Sequence, residues 1–374
     1  MKNFSAVLAV FALVLAGCTA TTETIKIGTI QPISGVISVY GIQTTNAAKM
    51  AVEEINAKGG INGKMVELIV EDDEASPEKT TNAFTKLVTL DKVVGIMGAL
   101  TSKCTLAITS QAQSEGVPLI TPTSTNDTVT DAGDYIFRAC YKDSFQGMVV
   151  ANYAADTLKA TTAAILYDVS NDYSKGLLEN FKKGFEAKGG TVVAESYNSG
   201  DKDFNAQITK IKASNPQVLF IPDYYSTVAL IAKQVRAQGI TVPMLGADGW
   251  DSIAENAGEE VVGSFYSNHY SPDAQDADVQ AFVAAYKAKH GETPNALAAL
   301  GYDATKILLE AIAKAGSTDR KAIRDALALT NGKYVTGNIS FDANRNTVKS
   351  AVMVELIKTA DGKIGTQYAG TVNP

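Results

Sequence analysis

Five short segments of this sequence place hydroxyl, carboxylate or aromatic side chains directly after a β-rich apolar run. Gly98-Ala99-Leu100-Thr101-Ser102 follows residues 93–97 and opens a helix. Free backbone N–H groups and the helix dipole favour an anion there. Thr121-Pro122-Thr123-Ser124-Thr125-Asn126 follows Leu119-Ile120. Its hydroxyls either cap a helix or ring a small polar ligand. Asp168-Val169-Ser170-Asn171-Asp172-Tyr173 follows residues 163–167, and Asp223-Tyr224-Tyr225 follows residues 218–221. Gly246-Ala247-Asp248-Gly249-Trp250 follows Met244-Leu245 and holds the only Trp. Each aromatic alone is more often packing than ligand contact; it is the repeated placement that points to a shared cleft. Together the set suits a zwitterion. Hydroxyls and helix N–H groups take a carboxylate, one side-chain carboxylate takes an ammonium, and rings supply apolar walls with some cation–π attraction.

Catalytic chemistry finds little support. The sequence has no Gly-x-Ser-x-Gly elbow and no His-Glu-x-x-His helix, which argues against an exported hydrolase. Asn62-Gly63-Lys64 lacks phosphate-loop spacing, so the chain does not itself couple ATP. The two histidines, His269 and His290, have no ligand-spaced partners and are expected on the surface or in structural roles. The expectation is a non-enzyme with no cofactor and no metal. A net charge of −7 repels phosphate backbones, so nucleic acid is not an expected partner.

The elements that must position these loops alternate strand and helix. Residues 25–30, 65–70, 93–97 and 119–120 read as strands in a first series. Residues 163–167, 191–194, 218–221 and 244–245 read as strands in a second, with a last strand at 351–357. Between them lie helices. Ala48, Ala51, Val52 and Ile55 share one face, and Gly59-Gly60 ends that helix. Ser76-Pro77 reads as an N-cap with Pro at the first helical position. Val279, Phe282, Val283 and Tyr286 mark another helix, and Ala304, Ile307, Leu308, Ala311, Ile312 and Ala315 a further one. Near-continuous apolar strands alternating with helices mean parallel sheets covered on both faces. Two such series predict an α/β protein of two doubly wound parallel-sheet lobes. Sites on this architecture lie beyond the carboxyl ends of the strands.

The N-terminus reads as an export address. Lys2 precedes an apolar run at residues 4–16. That run reaches about 20 Å as a helix, short of a ~30 Å hydrocarbon core. Leu15-Ala16-Gly17-Cys18 resembles a bacterial lipobox. The expectation is a lipoprotein signal peptide at 1–17, lipid on Cys18 and a tether at 18–24, with the protein anchored on the outer side of the cell membrane. The oxidising compartment leaves Cys104 and Cys140 either paired or as buried free thiols.

From about residue 25 to 358 the chain resembles the leucine/isoleucine/valine-type periplasmic binding proteins of ABC importers. The resemblance rests on Ile33-Ser34-Gly35, Tyr40-Gly41, residues 51–63, Gly98-Ala99-Leu100-Thr101-Ser102, Phe137-Arg138, Ser144-Phe145-Gln146-Gly147 and Gly301-Tyr302-Asp303-Ala304. It implies a type I fold with three hinge crossings, placed near 143, 270 and 348. The lobes are then 25–143 plus 271–348, and 144–270 plus 349–374. By the same resemblance, Ser102 and Thr125 meet the ligand carboxylate, and the Thr123 carbonyl, Thr125 and Asp248 meet its ammonium. Tyr40, Tyr173 and Tyr224 line the cleft. Two departures bear on the ligand. Asp248 stands where a longer Glu is common, and Trp250 nearby is expected to narrow the side-chain pocket. The resemblance implies a monomer that captures a branched-chain or other aliphatic amino acid and meets an ABC permease. An amide, urea-like or aromatic ligand on the same fold leaves Asp248 unpaired. A sensory role shares the same closed form.

Overall fold

A computed structural model describes residues 24–373. The signal peptide, Cys18 and nearly all of the tether lie outside the described residues.

Strands β1 (Ile25–Gln31), β2 (Val66–Asp72), β3 (Ile96–Gly98), β4 (Leu119–Thr121) and β5 (Ile136–Arg138) form one sheet. Its order is β2-β1-β3-β4-β5 and every pairing is parallel. Helices cover both faces, which is why β1 is buried almost end to end rather than alternating. On one face, Ala47, Ala51 and Val52 of the helix Ser38–Ala57 share a core with Leu308 and Ile312 of the helix Ala296–Ala315. On the other, Phe84 and Leu87 of the helix Pro77–Thr89 meet Ile108 of the helix Ser102–Ser114. Strand order reverses between β1 and β3, so the loops after them flank a crevice.

The second sheet contains β6 (Thr162–Asp168), β7 (Thr191–Tyr197), β8 (Val218–Phe220), β9 (Met244–Gly246) and β10 (Phe265–Asn268). A small hairpin, β11 (Asn331–Tyr334) and β12 (Gly337–Ser340), stands apart. β13 (Ala351–Lys358) and β14 (Ile364–Val372) then complete the second sheet, in the order β14-β13-β10-β9-β8-β6-β7. The chain passes between the two lobes three times: after β5, after β10 and before β13.

Most of the predicted elements are present, with local differences. The second sheet is not wholly parallel, because β13 runs antiparallel to both β10 and β14. β14 gave no apolar signal, since Ile364–Val372 is half polar, glycine-containing and without a single buried residue at the sheet edge. β5 and β10 also escaped the pattern; each is only three or four residues long. β3 starts at Ile96, three residues later than expected. The helix caps follow their sequence signals. Ser76 caps the helix Pro77–Thr89, and Gly59 and Gly60 take positive φ after Ala57.

The cysteine alternatives resolve in favour of free thiols. Cys104 sits in the core on one face of the first sheet, and Cys140 in the core on the other. Burial pushes each thiol up to about 12. No helix among the described residues is long and apolar enough to cross a membrane.

Candidate functional site

The loops after β3 and β4 are built as one unit. Thr101 caps the helix Ser102–Ser114, accepting from the Cys104 amide at 3.4 Å. The Ala99 carbonyl accepts from the hydroxyls of Thr105, Thr121 and Ser124 at 3.0, 2.8 and 3.3 Å. The Thr123 hydroxyl donates to the Leu100 carbonyl at 2.6 Å. Beneath them Arg138 is completely buried and donates to the carbonyls of Ser124, Asn126 and Asp127. A buried guanidinium whose two terminal nitrogens donate to three carbonyls fixes the loop that carries Thr123 and Thr125. Most of the expected hydroxyls are therefore structural. Ser102 differs: its Oγ accepts from the Asn126 amide at 3.2 Å, which leaves its proton free to donate.

Where this unit faces the loops of the second lobe, a small cavity of about 20 Å³ remains. Tyr40, Leu100, Thr101, Ser102, Thr123 and Leu297 line it from the first lobe. Tyr173, Tyr224, Asp248 and Gly249 line it from the second. Tyr173 and Tyr224 stack at 5.2 Å, and Tyr40 meets Tyr224 edge-on at 6.3 Å. Burial raises all three phenols well above their ordinary range, so they act as O–H groups. A larger groove of about 580 Å³ opens between the lobes around Asp251, Glu255 and Pro294. The helix N-terminus and the threonine loop both face the smaller cavity, which is therefore the candidate site.

Asp248 is the centre of its polar wall. Oδ1 accepts from the Tyr173 hydroxyl at 2.8 Å and from Gln146 Nε2 at 3.0 Å. Oδ2 lies 3.0 Å from His269 Nε2. Gln146 Nε2 also donates to Asp143 at 2.7 Å. Asp143 is fully buried, and desolvation followed by the nearby Asp248 charge raises its carboxyl well above the carboxylate range.

Tyr40, Asn126 and Asp251 make hydrogen bonds between the lobes around this wall. The Tyr40 hydroxyl donates to the Gly249 carbonyl at 2.6 Å and accepts from the Tyr225 amide at 3.3 Å. Asn126 Nδ2 donates to the Asp172 carbonyl at 3.0 Å. Asp251 accepts from the Ala296 amide at 2.6 Å, capping a helix of the opposite lobe.

Six of the eight expected ligand residues come together on the cavity wall: Tyr40, Ser102, Thr123, Tyr173, Tyr224 and Asp248. Two do not. Trp250 is fully buried in the second lobe, packed with Tyr266, and its indole N–H donates to the Ile221 carbonyl at 2.8 Å. A side chain on Gly246 would collide with that indole, so glycine there is what lets the ring lie flat on its own loop. Trp250 shapes the floor of the loop and does not narrow the cavity. Thr125 is buried but off the wall, and its carbonyl accepts from the Asp143 amide at 2.8 Å. His269, expected on the surface or in a structural role, is buried against Asp248. Gln146 and Asp143 were equally invisible as site residues, because they join the site only through the crossing after β5.

A family profile described as periplasmic binding protein matches residues 24–363. The chain is 32% identical over 343 residues to the leucine-, isoleucine-, valine-, threonine- and alanine-binding protein of Pseudomonas aeruginosa, covering 88% of this chain and 90% of that one. Among solved structures, a leucine-binding protein LivK from Thermotoga maritima superposes with a TM-score of 0.89 at 36% identity, covering 94% of this chain and 99% of that one. The branched-chain amino acid transporter substrate-binding protein LivJ of Streptococcus pneumoniae, in complex with isoleucine, gives 0.86 at 35%, covering 94% of this chain and all of the other. The two-lobe fold, the cleft at the strand ends and these likenesses agree: the chain belongs to the periplasmic binding protein family.

Proposed function

We propose that this protein captures an aliphatic α-amino acid between its lobes and delivers it, chemically unchanged, to an ABC-type membrane permease. The observation that carries the reading is the buried carboxylate of Asp248 on the cavity wall. Its only ion-pair partner among the described residues is His269. Burial lowers the His269 pKa, so that ring carries little charge at pH 7. The ammonium of an amino acid supplies the missing cation. Ser102 and the N-terminus of its helix take the carboxylate. The Thr123 carbonyl joins Asp248 at the ammonium, and Leu100, Leu297 and the three tyrosines enclose an aliphatic side chain. Thr125 and Trp250 support the wall from behind. Relatives that bind branched-chain amino acids favour the same ligand class. A ligand without an ammonium leaves Asp248 uncompensated.

As it stands the cavity holds about one water. Ligand uptake therefore requires the lobes to part, and a bound amino acid holds them further apart than here. The proposed lobes are 25–143 plus 271–348 and 144–270 plus 349–374, turning on crossings near 143, 270 and 348. Opening breaks the hydrogen bonds made across the cleft by Tyr40, Asn126 and Asp251. In this reading the monomer is exported, loses residues 1–17 and is held at the membrane by lipid on Cys18. Fatty-acid labelling that persists in Cys18→Ser would refute the anchor.

A thermal-shift panel tests the ligand class. Saturating cognate ligand at a hundredfold over Kd adds about 2.7 kcal/mol of stability. Leucine, isoleucine, valine or alanine is expected to raise Tm by several degrees. Stabilisation by amides or aromatic acids, with none by any amino acid, would reverse the assignment.

A further inference from the structure

Asp248 is one methylene shorter than glutamate, yet it still reaches the cavity wall. Three donors hold it there: Tyr173, Gln146 and His269. Gln146 has no freedom of its own. Its two N–H bonds go to Asp143 and Asp248, while its carbonyl oxygen accepts from the Asp248 amide and the Ser267 hydroxyl, each at 3.3 Å. The orientation of this amide is fixed, and through it the carboxylate.

His269 is held as firmly. Its ring stacks on Tyr141 with centroids 3.8 Å apart. An ionised carboxylate only accepts, so Nε2 must be the donor. Nδ1 is buried with no hydrogen-bond partner among the described residues. A bare Nδ1 is tolerable there, whereas an N–H would be left unpaired. The geometry thus assigns the neutral Nε2–H tautomer. Burial opposes a charge on the ring, Asp248 favours it, Lys349 on the crossing before β13 opposes it, and Tyr141 is a protonated phenol; burial outweighs Asp248, so the pKa of the ring is lowered.

We infer that His269 and Gln146 are positioning residues for ligand capture, and that a proton on His269 and the ammonium of the ligand compete for the Asp248 carboxylate. The inference rests on the amino-acid reading above. Neutral His269 donates one hydrogen bond and leaves the charge of Asp248 for the ligand. Protonated His269 neutralises that charge within the protein. Capture at neutral pH is then strong, capture in acid is weak, and binding in acid expels the proton into solution.

The test is calorimetry of the whole protein with leucine, valine and alanine from pH 7.5 to 5.0. Wild-type affinity should be flat near pH 7.5 and then weaken about tenfold per pH unit below the His269 titration. His269→Gln keeps an N–H donor that does not titrate. It should bind within threefold of wild type at pH 7.5 and lose most of the acid weakening, although Asp143 is still present. His269→Leu, which keeps bulk and loses the donor, should bind at least about tenfold more weakly at pH 7.5. A second measurement needs no variant. Titrations of wild type on the acid limb of that profile, in buffers of different ionisation enthalpy, should show net proton release on binding. Identical pH profiles for wild type and His269→Gln, a wild-type affinity in His269→Leu, or no proton release would each overturn the inference. Wild-type affinity in Asp248→Asn would instead overturn the ammonium reading, and this inference with it.

Discussion

Replacing Asp248 by Asn keeps the shape of the side chain and removes its charge, so it separates two roles that the structure combines. The carboxylate accepts from Tyr173, Gln146 and His269 whether or not ligand is present. An Asn amide can accept at one atom only and turns an N–H₂ toward one of these donors. Hydrogen bonds to charged groups contribute about 1.5–3 kcal/mol each. That loss falls on free and bound protein alike, so it lowers Tm and cancels in Kd. The ligand ammonium does not cancel. Removing one member of a buried ion pair costs about 3–5 kcal/mol. The Asn carbonyl still accepts one hydrogen bond from the ammonium, worth about 1 kcal/mol, which favours the low end. At 1.4 kcal/mol per tenfold, Kd should rise by about two to three orders of magnitude. Calorimetry at pH 7.5 reads the affinity, and a thermal melt of the free protein reads the stability. A variant that melts earlier yet binds within threefold of wild type would show that Asp248 is structural, and would refute the charge argument.

Other perturbations probe separate parts of the account. Ser102→Ala removes one donor while the helix N-terminus stays, so calorimetry should show a loss of about 1–3 kcal/mol. An unchanged affinity would mean that backbone groups hold the carboxylate alone. Asp251→Ala deletes the cap across the cleft, and small-angle scattering of the free protein should show a larger radius of gyration; an unchanged radius would contradict its latch role. Burial raises the carboxyl of Asp223 to about 7. Its folded-state value lies above the unfolded one, so its contribution to stability is full below about pH 4 and is lost as pH rises toward 7. Asp223→Asn should flatten the fall of unfolding free energy with pH between 4.5 and 7.5, and a slope identical to wild type would refute the assignment.

How much of this was legible in the sequence depended on how local the signal was. Strand–helix alternation, the Ser76-Pro77 start and the Gly59-Gly60 stop are local, and the structure follows them. The loops after β3, β4, β6, β8 and β9 do converge on one cavity, as the position of the strand ends requires. Long-range partners were not legible. His269 lies 21 residues from Asp248 and Gln146 lies 102 away, and no spacing rule joins them. Trp250 misled because an isolated aromatic in a loop carries no direction. Only the absence of a side chain at Gly246 shows that the ring folds back on its own loop. The threonine loop was read correctly as polar, but most of its hydroxyls serve the Ala99 and Leu100 carbonyls rather than the cavity.

The central claim is that the cleft recognises both charges of an amino acid. It is tested most directly by titrating the protein with the cognate branched-chain amino acid, its deaminated acid and its decarboxylated amine. The account predicts saturable binding of the amino acid and at least about hundredfold weaker binding of both analogues. Binding of the deaminated acid as tight as that of the amino acid would contradict it, because nothing would then meet the Asp248 carboxylate.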